Sequence, residues 1–296
     1  MAKKKMFRGY TWFDWVNMAL LVLFSFACIY PLWNVVVGSF NDGIDYTAGG
    51  VYLWPRKFTF DNYKVVLNDM RIWRGYLVTI SRTLLGTFTH LLVTSVVAYG
   101  MSRRSLPAPK FFHFFNIFTM FFGGGLIPYF LVLKYLGLID NFWVYVIPNM
   151  YSVYDMIIMK NFIKQLPEEL HESAVIDGAG EYHIFFKIII PLSKPVIATV
   201  ALWCIVWHWN SYLDSMYYVT SADLFSLQYV LMRIINESSV PTGGGIVTLP
   251  PGIYERLNPA TVSLAAIIVS TLPVLITYPF LQKHFAKGVM AGALKG

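Results

Sequence analysis

Residues Trp15 to Asn41 read WVNMALLVLFSFACIYPLWNVVVGSFN, without a single Lys, Arg, Asp or Glu. A helix needs roughly 20 apolar residues to cross a bilayer, so this run is long enough to span. Four more charge-free runs follow, Thr83 to Ser102, Phe111 to Leu133, Pro195 to Leu213 and Leu257 to Gln282, and a sixth, Asn141 to Met159, is interrupted only by Asp155. Composition agrees: 56% of the 296 residues are hydrophobic and 13% are charged, which does not fit a soluble surface. The expectation is an all-α, polytopic transmembrane bundle of six helices.

Charge sets the orientation. With both termini cytoplasmic, 14 of the 23 Lys and Arg fall on the inner side, among them Lys3, Lys4, Lys5 and Arg8, as the positive-inside rule requires. The same basic start could open a secretory signal, but the apolar run is too long for a signal core and no small-residue cleavage site follows. The +7 net charge is accounted for by orientation, with no basic stripe interleaved with aromatics, so no nucleic-acid partner is expected. Cys28 and Cys204 fall inside apolar runs, where a thiol acts as a small hydrophobe.

This divides the chain into a cytoplasmic start (1–14), a first span (15–41), an outer loop (42–75), a core holding the remaining spans (76–282) and a cytoplasmic tail (283–296). Within the core lie an inner loop (160–194) and a second outer loop (214–259), which Pro241, Gly243, Gly244, Gly245, Pro250 and Pro251 keep from being one helix. Both outer loops read as folded caps. Arg82 falls near the outer end of the second span and is expected to snorkel. Gly123, Gly124, Gly125 and Pro128 interrupt the third, either as a packing kink or as a segment that moves during gating.

The inner loop from Lys160 to Lys194 is polar between two apolar runs. Pro167, Glu168 and Glu169 suit a helix start. Leu166, Leu170, Ala174 and Gly178 then repeat every four residues, a face that loses bulk until a partner backbone could approach at Gly178. Pro191 and Pro195 close the segment.

The stretch ESAVIDGAGEYHIFFKIIIP, Glu172 to Pro191, resembles the EAA loop of binding-protein-dependent ABC importer permeases. Glu172, Ala174, Gly178, Ile188 and Pro191 match its spacing, while Ser173 stands for Ala and Ile190 for Leu. AYGMSR (98–103), GGLIPYFLVLKYLGLIDNFWVYVIP (124–148), WNSYLDS (209–215) and KGVMAGALKG (287–296) are similar to the second, maltose-type permease subunit of the carbohydrate-uptake branch, and most similar to Gram-positive permeases for complex oligosaccharides. The resemblance implies a type I ABC importer architecture in a bacterial plasma membrane. It implies a second permease as heterodimer partner, two cytoplasmic ATPase subunits that hold ATP and Mg, and an extracytoplasmic solute-binding lipoprotein. It also makes the helix around 172–180 the coupling helix, with Glu172, Ala174, Asp177, Gly178 and Ala179 at the ATPase contact. The tail from Lys287 either reaches that interface or ends free.

Sugar sites combine aromatic faces with a few amides and carboxylates. Trp203, Trp207, Asn210 and Asp214 are spaced four, three and four apart, one stripe on a helix. They read as substrate-path groups or as packing and interface anchors. Tyr151, Tyr154 and Asp155 form a second candidate cluster, with local capping or pairing as the other reading of Asp155. The chain lacks a phosphate loop, an HExxH pair and a Gly-x-Ser-x-Gly elbow, so neither catalytic residues nor a bound metal or cofactor are expected. Two rival readings are an ion-coupled sugar carrier and a membrane enzyme on lipid-linked sugar using Asp155 or His208; neither accounts for the inner-loop spacing.

Overall fold

The computed structural model describes residues 11–239 and 258–293, with the backbone alone for 237–239 and 277–293. The basic N-terminal residues, the Gly- and Pro-rich stretch 240–257 and the tail side chains from Lys287 onward lie outside the described residues. Among those described the chain is helical, relieved by one isolated bridge between Asn41 and Phe58. The chain divides into two compact units.

The first unit takes residues up to Asn68 together with 234–269. Its α1 (Trp12–Ser39) begins where Thr11 and Asp14 cap each other: the Thr11 hydroxyl accepts from the Asp14 N–H, and the Asp14 carboxylate accepts from the Thr11 N–H at 2.8 Å. Only Val37, Gly38 and Ser39 of this helix are buried. An apolar helix exposed over most of its length is a lipid-facing helix. The following loop is folded, as its aromatics suggest. Asp42 caps α2 (Gly43–Thr47) by accepting from Ile44 and Asp45, and α3 (Asp61–Asn68) brings in Asn62. The buried Asn62 amide donates to the Ser39 and Asn41 carbonyls and accepts from the Thr261 hydroxyl, each at 2.9 Å.

The second unit takes Asp69–Arg233 and 270 onward. It contains α4 (Met70–Ser102), α5 (Pro109–Phe121), α6 (Leu126–Tyr135), α7 (Val153–Ile163), α8 (Glu169–Ile176), α9 (Glu181–Ile184), α10 (Ile190–Leu192), α11 (Lys194–Asn210) and α12 (Leu213–Tyr218). Two further helices, α13 (Leu227–Ser239) and α14 (Pro259–Ala293), run through both units. The core of the second unit is α4 packed against α7 and α11. The middle of the buried face of α4 is polar: Thr79, the adjacent pairs Arg82–Thr83 and Gly86–Thr87, His90 and Thr94 recur every three or four residues. Gly86 is required there, because a Cβ would lie 2.3 Å from His208 Nε2 on α11.

Three helices are long and apolar enough to cross a membrane: α1, α4 and residues 259–276 of α14. Two bent pairs raise this to at most five among the described residues: α5 with α6, at 111°, and Glu181–Leu192 with α11, at 79°. Three sequence expectations change. The second span starts 13 residues earlier than expected, so the loop residues 70–75 are helical. Gly125 at φ 87° turns the third span sharply rather than kinking it. The run Asn141 to Met159 is two 3₁₀ turns, 142–145 and 147–149, followed by a fresh helix start at Ser152. Pro148 disfavours α geometry at the residue before it, and the Ser152 hydroxyl accepts from the Asp155 N–H at 3.2 Å to begin α7.

Candidate functional site

The two clusters read separately from the sequence meet in one place. A cavity of about 390 Å³ is lined by Tyr151, Tyr154 and Asp155 from the α7 side and by Trp203, Trp207 and His208 from α11. His90 of α4 completes it. The volume lies in the roughly 300–1,000 Å³ range of small-molecule sites. Tyr154 and Trp203 approach at 6.2 Å between ring centroids, and the Trp207 and His208 rings stand edge to face at 4.9 Å. The Tyr151 hydroxyl donates to Asn116 Oδ1 on α5.

Asp155 is bound to His90. His90 Nδ1 lies 2.8 Å from the Asn149 carbonyl oxygen, which can only accept, so Nδ1 carries a proton. The 3.0 Å contact between Nε2 and Asp155 then ties α4 to α7. The cavity is lined by aromatic and hydrogen-bonding side chains.

His208 is 1% exposed, and neither ring nitrogen has a hydrogen-bond partner among the described residues. An unpaired buried donor costs about 1–3 kcal/mol. Nε2 faces the Gly86 position of α4, so the imidazole is a polar group with its bonding capacity unspent at the buried edge of the cavity.

The other two members of the α11 stripe fall elsewhere. The helix ends at Asn210 because Ser211 is extended, at ψ 127°. Asn210 is exposed and donates to the Val206 carbonyl at 2.8 Å. Asp214, carried on α12, binds Arg82 at 2.9 Å. Arg82 is correspondingly not a snorkelling residue: it is fully buried, donates to the Ser211 carbonyl at 3.3 Å, and lies 4.5 Å from the Tyr145 ring centroid and 6.0 Å from that of Trp207. A guanidinium can be buried here because a carboxylate and two aromatic faces surround it.

The segment 160–194 is built differently. The short α8 ends in a Schellman turn: the Gly178 N–H donates to the Val175 carbonyl at 3.0 Å and the Ala179 N–H to the Ala174 carbonyl at 2.9 Å, with Gly178 at φ 79°. Gly178 is thus needed for its backbone, and a Cβ there would meet nothing within 4 Å. The tapering face is split: Ala174 is buried in the core with Leu166 and Ala179 packed against it, while Leu170 and Gly178 are exposed. Of the five coupling candidates, Glu172, Asp177 and Gly178 are at the surface. Sequence reading missed Ile176 and Tyr182, apolar residues that are each 85% exposed. Their signal was available, as bulky apolar side chains in a polar segment off the inward stripe.

A polar relay ties this segment to α4. Arg103 donates to His171 Nδ1 at 2.9 Å, and His171 Nε2 donates to Glu181 at 3.1 Å. Glu181 also accepts from the Tyr99 hydroxyl. Beyond α9, residues 185–189 wind as a π-turn ahead of Pro191, a local irregularity of the kind often found at functional sites.

Residues 1–291 match the family described as binding-protein-dependent transport system inner membrane component, and the chain belongs to that family. Its fold and helices are those of the membrane-embedded permease component of an ABC importer. It is 38% identical over 288 residues to the polygalacturonan/rhamnogalacturonan transport system permease protein YtcP of Bacillus subtilis, covering 96% of this chain and 98% of that one. It is 26% identical to the arabinooligosaccharides transport system permease protein AraQ of Halalkalibacterium halodurans, covering 96% and 97%. The crystal structure of a bacterial ABC transporter involved in the import of the acidic polysaccharide alginate contains a similar chain, with TM-score 0.85, 31% identity and coverage of 94% and 99%.

Proposed function

We propose that this chain is a translocation subunit for oligosaccharide in an ATP-driven importer of a bacterial plasma membrane, with both termini cytoplasmic. The observation that carries the reading is the cavity in which Trp203, Trp207, Tyr151 and Tyr154 surround His208 and the His90–Asp155 pair. Indole and phenol faces cover the apolar side of a sugar ring, and the imidazole and carboxylate bond its hydroxyls. A second permease completes the path, and an extracytoplasmic solute-binding lipoprotein delivers the sugar. The names of the relatives support a carbohydrate cargo.

ATP and Mg belong to two ATPase subunits. The surface formed by Glu172, Asp177, Ile176 and Tyr182 is where one of them docks, with Ala174 and Ala179 anchoring the docking helix from behind. The Arg103–His171–Glu181 relay passes its movement to α4, which forms part of the cavity wall. Purification of the assembled complex, followed by ATPase and sugar-uptake assays in liposomes, tests this. ATP-dependent uptake stimulated by the binding protein is the expected result; uptake on an ion gradient without ATP would make the chain a secondary carrier.

A further inference from the structure

A second cavity, of about 290 Å³, opens where α4, α7 and α8 meet. Its polar wall is basic: Arg103 and Arg104 follow the last residue of α4, Lys164 follows α7, and Glu168 is the one carboxylate among the lining groups. Ile163 and Leu166 line an apolar side. Arg104 is paired with Glu168 at 2.9 Å. Arg103 spends one nitrogen on His171, lies 3.9 Å from Glu181 and 5.7 Å from the Tyr99 ring centroid, and keeps a buried Nε without an acceptor. Lys164 has no carboxylate partner among the described residues. The cations also offset the partial negative charge at the C-terminal ends of α4 and α7.

Position adds to charge. The 33 residues of α4 extend about 50 Å at 1.5 Å per residue, longer than a bilayer of roughly 40–45 Å including headgroups. A helix of that length that spans brings its ends to the headgroup layers or a little beyond them. The cavity then offers cations at phosphate depth, the arrangement that selects acidic lipid.

We propose that this cavity binds the phosphate headgroup of an anionic phospholipid, seated between the end of α4 and the start of α8. The inference rests on the reading that α4 spans the bilayer and ends at this surface; it requires neither sugar nor nucleotide. The lipid would fix α8 against the bundle by bridging Lys164 and Arg103, so membrane charge would set how firmly the docking helix is held.

The test uses the purified importer complex in nanodiscs of phosphatidylglycerol mixed with phosphatidylcholine, with lipids retained after delipidation counted by native mass spectrometry. One phosphatidylglycerol should be retained in preference to phosphatidylcholine by roughly fivefold per contacting cation. Lys164→Gln should remove that preference and Lys164→Arg should keep it; both change an exposed side chain and leave the Arg103–His171 contact in place. Equal retention of the two lipids, or a Lys164→Gln variant that behaves as wild type, overturns the proposal. Displacement of the lipid by inorganic phosphate in solution overturns it in favour of a soluble anion site. Uptake assays on the same preparations keep the outcome separate from the transport reading, since a complex can transport sugar without preferring acidic lipid.

Discussion

The cavity and the segment 160–194 are both polar islands in an apolar chain, but they are assembled in opposite ways. The segment is contiguous: α8, its Schellman turn and α9 lie within 16 residues, and their spacing is fixed by hydrogen bonds to near neighbours. The cavity draws His90, Asp155 and His208 from three helices, and its geometry depends on how α4, α7 and α11 pack. Local hydrogen bonding thus builds a surface that can move as one piece, whereas the cavity changes shape whenever the helices shift. If the contrast holds, cavity variants should alter sugar affinity, and segment variants should alter coupling while sparing affinity.

The largest effect is expected from Arg82→Leu, which leaves Asp214 without its partner. Breaking a buried ion pair costs about 3–5 kcal/mol, so thermal unfolding of the purified complex should shift sharply downward. The double variant with Asp214→Asn should recover part of the loss, and additive losses would mean that the pair is not coupled. Next, His208→Phe keeps the ring volume near Gly86 but removes the hydrogen-bonding nitrogens. Sugar affinity should fall by roughly 5- to 150-fold, corresponding to about 1–3 kcal/mol, with ATPase subunits still co-purifying; unchanged affinity would remove His208 from the site.

The segment gives a smaller and different signature. Gly178→Val forces a β-branched residue into the left-handed region, which costs about 1–2 kcal/mol, so uptake should drop roughly tenfold while sugar affinity stays constant. Gly178→Asn, which tolerates that conformation, should transport nearly normally. If Asn fails as completely as Val, the position serves close approach of a partner rather than the turn. The smallest effect concerns Asp140, whose carboxylate accepts from the Ser221 hydroxyl and from the N–H groups of Ser221 and Thr220. These bonds hold its pKa below the usual carboxylate value. A lowered folded-state pKa contributes stability above the unfolded value of about 3.9 that is lost as pH falls through the folded one. Hydrogen exchange at Thr220 and Ser221 should therefore accelerate at acid pH, relative to intrinsic rates, in wild type and already at neutral pH in Asp140→Asn.

The same contrast explains what the sequence could reveal. A site made of neighbours along the chain appears as spacing, which is why Glu172 to Pro191 could be read directly and α1 stood out by composition. The cavity was half legible: Trp203 with Trp207, and Tyr151 with Tyr154 and Asp155, were visible as clusters, but nothing in one sequence says that two helices face each other. Asn210 and Asp214 lie off the cavity, which spacing alone could not show because the helix stops at Asn210. The run 141–159 was not legible as two 3₁₀ turns and a helix for a related reason, since apolarity does not show where a helix starts. Arg82 was read as snorkelling and His90 was missed although their signal was present, in the polar positions from Thr79 to Thr94 that recur every three or four residues on an apolar helix.

The missing side chain at Gly86 lets α11 rest its imidazole directly on the backbone of α4. The notch is one residue wide, and a slide of a single residue along the axis is roughly 1.5 Å. Such a slide carries the His208 ring out of the notch and against side chains that have no room for it. The two helices therefore have a keyed position, like a latch with one detent, and leaving it requires them to part rather than glide. Separation of α4 from α11 and withdrawal of the cavity's unpaired imidazole are then one motion.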